Sequence, residues 1–334
     1  VSLAGRDLVR IDDLSLEEIN DLMALARRLE PVARGEAITR VLEGAILASL
    51  FFEASTRTRL SFGAAFARLG GDVRETVGFT FSSMAKGESI ADTARVVSGY
   101  ADIMVVRHPE AGSVQLFADA ALIPVINGGD GPAEHPTQAL LDLYTMTEEF
   151  RALGKPLEGA HVLFSGDLRY GRTVHSLAKL LSLLDGIRFS LLSPPELSLP
   201  EELIGLLKDR GHEVTAHTTP PVGAKVDLVY TTRIQRERLD QEMTIDLDPG
   251  LQVNRAFLAR VGTRDTIVMH PLPRDSRPGA LDLSTDLDDD PRLAIFRQTD
   301  RGIAIRMALF AAILDVDRAI EASFVTPAWR SPKV

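Results

Sequence analysis

Apolar positions along this chain follow two different periods in alternation. Leu16, Ile19, Leu22, Met23, Ala26 and Leu29 recur at helical spacing, with Ser15 and Glu18 as a capping-box pair and Leu14 and Ile19 as a hydrophobic staple. The spacing predicts an amphipathic helix over residues 15–30 with one buried face. GAILASLFF (44–52) is instead short and apolar throughout, as expected of a parallel strand covered on both faces. RLSFGAAFARLGG follows it, helical in period, and stops at Gly70 and Gly71. Strand signals recur at ADIMVV (101–106), ALIPVI (121–126), HVLFSG (161–166), IRFSLL (187–192), VDLVY (226–230) and DTIVMH (265–270), with helical stretches between most of them. Alternation of this kind predicts an α/β fold of mostly parallel sheets flanked by helices, with ligands beyond the carboxyl ends of the strands.

A boundary is expected around the helix PTQALLDLYTMTEEF, which Pro136 can open and which gives way to the turn-rich GKPLEG. Two similar domains then flank that helix, residues 1–146 and 147–302. The apolar segment 303–322 has helical periodicity and is expected to return to the first of them. The acidic run STDLDDDP (284–291) reads as a solvated loop.

Composition narrows the function classes. With 334 residues, 45% hydrophobic and 25% charged, the chain is an ordinary globular one, neither disordered nor fibrous. A formal charge of -10 gives no general attraction for nucleic acid or anionic membrane, so anionic ligands need cations gathered locally. The absence of cysteine excludes disulfides, thiolate nucleophiles and cysteine metal sites. The seven histidines lack metal-ligand spacing, so no catalytic metal or other cofactor is expected. No apolar run approaches the about 20 residues of a membrane helix, and the N-terminus lacks a signal-peptide pattern, so the expected location is cytoplasmic.

The chemistry concentrates in FFEASTRTRLSF (51–62). Ser55 stands between strand and helix, where its side chain can cap while the unpaired amides of the next residues point outward at the positive helix end. Thr56 and Thr58 add hydroxyl donors and an arginine adds a fork suited to phosphate. Residues two apart on a helix cannot easily face one ligand, so one of Arg57 and Arg59 is expected to serve a neighbouring contact. Ordinary capping with solvated arginines is the plain alternative, of equal weight on this stretch alone.

This stretch resembles the carbamoyl phosphate signature of the transcarbamylases. Six further blocks follow in family order: SSMAKGESIADT (82–93), VVRHPEAG (105–112), GDGPAEHPTQALLDLYT (129–145), GDLRYGRTVHSL (166–177), TTRIQRERL (231–239) and MHPLPR (269–274). Together they span most of the chain and resemble the aspartate branch of the aspartate/ornithine carbamoyltransferase family. The ornithine branch carries a cysteine in its His-Cys-Leu-Pro turn and a Ser-Met-Gly loop. Here the turn is His270-Pro271-Leu272-Pro273, and neither feature occurs.

The resemblance implies carbamoyl phosphate and L-aspartate as substrates, joined to give carbamoyl aspartate and phosphate in pyrimidine biosynthesis, with the active site in the interdomain cleft. It implies residues 1–146 as the carbamoyl phosphate domain and 147–302 as the aspartate domain. Ser55, Thr56, Arg57, Thr58, Arg107, His135, Gln138 and Ser82 are implied to bind carbamoyl phosphate. Arg57, Thr58, Arg107 and His135, with Lys86, are the implied catalytic set. Arg172, Arg233, Gln235, Lys86 and the carbonyls of Pro271 and Leu272 are implied to receive aspartate. Glu53, Glu237 and Arg238 are implied in domain closure. Ser82 and Lys86 are implied to reach a neighbouring subunit's site in a homotrimer. Whether a regulatory chain or another pyrimidine-pathway enzyme binds that trimer stays open. Two rivals of other classes are a non-catalytic assembly partner and a P-loop nucleotide binder at GDLRYGRT, where Arg172 would replace the usual lysine and Asp167 would repel phosphates.

Overall fold

The structure is a computed structural model that describes residues 3–78, 86–235, 248–275, 277 and 282–329. Its main elements are α1 (Leu16–Arg34), β1 (Ile46–Phe51), α2 (Thr56–Arg68), β2 (Asp72–Val77), α3 (Ile90–Ser98), β3 (Ile103–His108), α4 (Ser113–Ala120), β4 (Val125–Asp130) and α5 (Pro136–Ala152). They continue as β5 (His161–Ser165), α6 (Arg172–Leu181), β6 (Arg188–Leu192), α7 (Glu201–Asp209), β7 (Glu213–His217), β8 (Leu228–Thr231), α8 (Arg255–Val261), β9 (Ile267–Met269) and α9 (Ile295–Ile313). Two parallel sheets result, of order β2-β1-β3-β4 and β7-β6-β5-β8-β9. The chain divides into two compact units, Val1–Leu141 with Thr299–Val334, and Asp142–Gln298.

In the first unit α1 begins as its sequence requires: the Ser15 hydroxyl accepts from Glu18 N, and the Glu18 carboxylate accepts from Ser15 N. One face of the four-stranded sheet packs Ala48, Leu50, Met104 and Val106 against Ala94, Val114 and Phe117. Elsewhere in the unit Phe62 and Phe66 of α2 meet Phe310 of α9 edge-on, at 5.9 and 4.9 Å between ring centres. Truncating Phe310 to alanine would cost about 3–5 kcal/mol, because the ring is wholly buried and its space cannot close. The C-terminal helix itself starts earlier than the segment 303–322 suggests and ends at Ile313.

The second unit shows the two-residue period of a covered sheet. Leu163, Val229 and Val268 share one apolar cluster with Phe257 and Leu258 of α8. Phe164 lies between Phe189, stacked at 6.0 Å, and Tyr230, edge-on at 5.8 Å. The acidic run is largely exposed, as a solvated segment is, but it is locally ordered. Residues Thr285–Leu287 form a short 3-10 helix that buries Leu287. Asp288 pairs with Arg274 at 2.5 Å, Asp289 with Arg255, and Asp290 with Arg292 at 2.8 Å. Three of its carboxylates thus pair with arginines, while Asp288 and Asp289 stay exposed.

Candidate active site

Parallel strands carry all their carboxyl ends to one edge, and in the first unit that edge collects the sequence-predicted residues. β1 runs beside β3 with Phe51 opposite Arg107, and β3 runs beside β4 with His108 opposite Asp130. Ser55–Thr58 follow the first strand, Arg107 lies within the second near its end, and His135 and Gln138 follow the third.

Ser55 occupies the N-cap position of α2, yet its hydroxyl makes no capping bond, contrary to the expectation that it caps. The first intrahelical bond is Arg59 N to Ser55 O, so among the described residues the amides of Thr56, Arg57 and Thr58 have no acceptor. Thr58 is buried and Thr56 exposed. Arg57 reaches the surface without an acidic partner among the described residues, and partial desolvation holds its guanidinium below the ordinary arginine value. Arg59 turns instead to Glu75 on β2, 3.9 Å away. The two arginines thus part as their angular separation requires, and the one left facing outward sits beside the unpaired amides.

Arg107 is only 7% exposed. Its Nη2 lies 2.5 Å from Glu53, and its Nη1 donates to Gly128 O at 3.1 Å. The guanidinium packs close to the Gly128-Gly129 backbone, where a Cβ on Gly129 would stand 2.4 Å from Nη1. Gly129 N donates to Asn127 Oδ1 at 2.7 Å, and the Asn127 amide donates to Val9 O at 2.8 Å. His135 is buried with Nδ1 3.5 Å from the Thr137 hydroxyl, and its carbonyl receives Gln138 N and Ala139 N. Asp130 accepts from Gly112 N and thereby fixes the start of α4.

The second unit repeats the logic at β5, β8 and β9, three neighbours in its sheet. Arg172 opens α6 after the β5 loop, Arg233 and Gln235 follow β8, and Pro271 and Leu272 follow β9. The first two loops are sewn together by Asp167, which is fully buried. Its carboxylate accepts from Tyr170 N at 2.9 Å and from Gln235 N at 3.2 Å, while Gln235 Nε2 donates to Tyr170 O at 2.8 Å. Burial pushes the Asp167 carboxyl above the usual carboxylate range despite these donors. Gly166 permits the approach, since a Cβ there would meet Thr232 O at 2.1 Å. Within the loop Tyr170 N and Arg169 N turn to this carboxylate, and its negative charge sits where a P-loop would cradle a phosphate.

After β9 the Leu272–Pro273 peptide is cis and Leu272 has φ +56. The turn is held by His270, whose Nδ1 accepts Leu272 N–H at 2.7 Å and whose Nε2 meets Asp282 at 2.9 Å. Burial opposes the Asp282 charge, but His270 and the amides of Asp275 and Leu283 outweigh it and hold the carboxyl below its ordinary value. His270 N donates to Gln298 Oε1 at 3.1 Å, and Asp142 accepts from both Gln298 Nε2 and the Tyr230 hydroxyl at 2.6 Å. Burial first, then the Asp142 charge, raises the Tyr230 phenol. Asp275 is lowered chiefly by hydrogen bonds from Arg277, and the charge of Arg233 adds to this.

Not every expected residue joins these two sets. Lys86 is exposed on the connection between β2 and α3, and Ser82, Glu237 and Arg238 lie outside the described residues. Glu53 is engaged with Arg107 in its own unit. Among the described residues no three acidic or histidine side chains form a metal-binding group, and no helix is long and apolar enough to cross a membrane. Sequence reasoning missed Gly129, Asp142, Asp282 and Gln298 altogether. Only Gly129 had a signal, as the second glycine of a pair at a strand end.

Residues 6–148 match the family model described as aspartate/ornithine carbamoyltransferase, carbamoyl-P binding domain, and residues 158–313 match the corresponding Asp/Orn binding domain. The chain belongs to the aspartate/ornithine carbamoyltransferase family. It is 54% identical over 329 residues to the aspartate carbamoyltransferase catalytic subunit of Dichelobacter nodosus, covering 98% of this chain and 94% of that one. Its identity to the same subunit of Saccharophagus degradans is 51% over 319 residues, covering 95% and 94% of the two chains. The fold is similar to aspartate transcarbamoylase of Trypanosoma cruzi in complex with carbamoyl phosphate and aspartate, with TM-score 0.82, 35% identity, and 94% and 98% of the chains covered. It is also similar to the catalytic subunit of M. Jannaschii aspartate transcarbamoylase, with TM-score 0.81, 39% identity, and 93% and 98% covered.

Proposed function

We propose that this chain transfers the carbamoyl group of carbamoyl phosphate to the α-amine of L-aspartate, giving N-carbamoyl-L-aspartate and phosphate in pyrimidine biosynthesis. One observation carries the reading: each unit gathers cationic and hydrogen-bonding groups at the carboxyl edge of its own sheet, in a chain whose halves match the two domains of this family. Solved relatives from T. cruzi hold carbamoyl phosphate with aspartate, and carbamoyl aspartate with phosphate.

The phosphate is assigned to Ser55, the amides and hydroxyls of Thr56 and Thr58, and Arg57, an uncapped helix end being suited to an anion. Thr58, Arg107 and His135, with Gln138, are assigned to the carbamoyl group, where a buried guanidinium fixed in advance stabilises charge developing on oxygen. Arg172 and Arg233 are assigned to aspartate's two carboxylates, with Gln235 and Lys86 beside them. Two guanidinium groups suit a dicarboxylate and would repel ornithine's ammonium. The amine lone pair attacks the carbamoyl carbon, the carbon–oxygen bond to phosphate breaks with its electrons leaving on phosphate, and an amine proton passes to that leaving group. Catalysis rests on positioning and electrostatics. The family relationship supports a cytoplasmic homotrimer in which Ser82 and Lys86 serve a neighbouring subunit's site.

The test is direct. The purified chain, given carbamoyl phosphate with aspartate or ornithine, is expected to form carbamoyl aspartate and negligible citrulline. Absence of either product, or preference for ornithine, overturns the reading.

A further inference from the structure

The turn after β9 contains two prolines, so few of its backbone groups can be tied down by donation. What ties it is one imidazole. His270 is 1% exposed, and its ring receives Leu272 N–H at Nδ1, two residues along the same turn. An imidazole nitrogen that accepts carries no proton, so the ring's single N–H is on Nε2, where it donates to Asp282 Oδ1. Asp282 is anchored in turn, its Oδ2 accepting Asp275 N at 2.8 Å and its Oδ1 accepting Leu283 N at 2.6 Å. The stretch 270–275 is therefore gripped at its start by Gln298, in its middle by His270 and at its end by Asp282. Among the described residues no donor reaches the carbonyls of Pro271 or Leu272. A turn held this firmly, with two acceptors left over, is a device for aiming them.

We infer that His270 is a positioning residue: by accepting Leu272 N–H while Asp282 fixes its tautomer, it aims the Pro271 and Leu272 carbonyls at the hydrogens of the attacking amine. The inference rests on the reaction proposed above. A neutral ring bonded on both sides is not a proton carrier in this role. Its effect falls on the direction of attack rather than on the substrate carboxylates, and misplacement of reacting groups by about 1 Å can cost on the order of a hundredfold.

The experiment separates the two nitrogens. An asparagine places an acceptor near the position of Nδ1, whereas a glutamine places a donor near that of Nε2. In His270→Gln, kcat is expected to fall about tenfold or more. The inhibition constant for succinate, a dicarboxylate without an amine, should stay within about twofold, because no amine is there to be aimed. His270→Asn should recover most of kcat. Wild-type kcat in His270→Gln, equal loss of kcat and succinate affinity, or no rescue by asparagine would each overturn the inference. A measurement on the unaltered protein does not depend on variants folding: nitrogen NMR with labelled histidine should show His270 as the neutral Nε2–H tautomer at about pH 7. A Nδ1–H tautomer or an imidazolium overturns it. Failure of the unaltered chain to make carbamoyl aspartate would instead overturn the reaction, leaving the tautomer result to stand by itself.

Discussion

The guanidinium of Arg107 occupies the space that any side chain at position 129 would need. Gly129 combines φ +132 with a Cβ direction that ends 2.4 Å from Nη1, so the glycine and the arginine form one unit. Gly129→Ala is expected to displace Arg107 while leaving the sheet formed. Turnover should fall by about a hundredfold, the cost of losing an oriented oxyanion donor. Steady-state kinetics beside a circular dichroism spectrum checks this; unchanged turnover in a folded variant would remove Arg107 from the oxyanion role.

Arg57 and Arg59 make a paired prediction. Arg57→Ala should abolish calorimetric carbamoyl phosphate binding with stability changed by no more than about 0.5 kcal/mol, as at an exposed position. Arg59→Ala removes only the contact to Glu75 and should retain the affinity. A reversed outcome would reassign the phosphate.

Sharing of sites between subunits is tested by complementation. Lys86→Ala and Arg57→Ala chains, each inactive alone, should recover about one active site in three when combined in mixed trimers. Verified mixed trimers without activity would place Lys86 outside the site.

Acid stability should depend on Asp282. Its folded value lies below the ordinary 3.8, so below that pH the unfolded chain binds the proton more readily and folding loses stability as pH falls through the folded value. Only well above 3.8 is the contribution fully present. Urea midpoints at about pH 5 and about pH 3 should differ less in Asp282→Asn than in the unaltered chain. An identical difference would show that the carboxylate is not linked to folding.

Central strands were legible because burial on both faces leaves short continuous apolar runs such as those of β3 and β8. β2 and β7 escaped notice. They are edge strands whose Asp72, Arg74, Glu75 and Glu213 face solvent and break such a run. β4 was placed too early, at 121–126, since it runs through Gly128 and Gly129, which interrupt the apolar run and are in fact the bed of Arg107. The candidate residues were legible as motifs at strand ends. Their supports were not: Asp167 binds residues of a distant loop, and Asp282 binds a histidine twelve residues away in sequence, contacts that no local period announces.

The uncommitted hydroxyl at the head of α2 has a thermodynamic meaning. A missing cap forgoes about 1 kcal/mol of helix stability. An anion seated on those amides supplies what Ser55 withholds, so ligation and local folding become a single equilibrium. Saturation at about a hundred times the dissociation constant adds about 2.7 kcal/mol. Heat resistance of this unit should accordingly rise with phosphate concentration, the metabolite acting as the first turn's keystone.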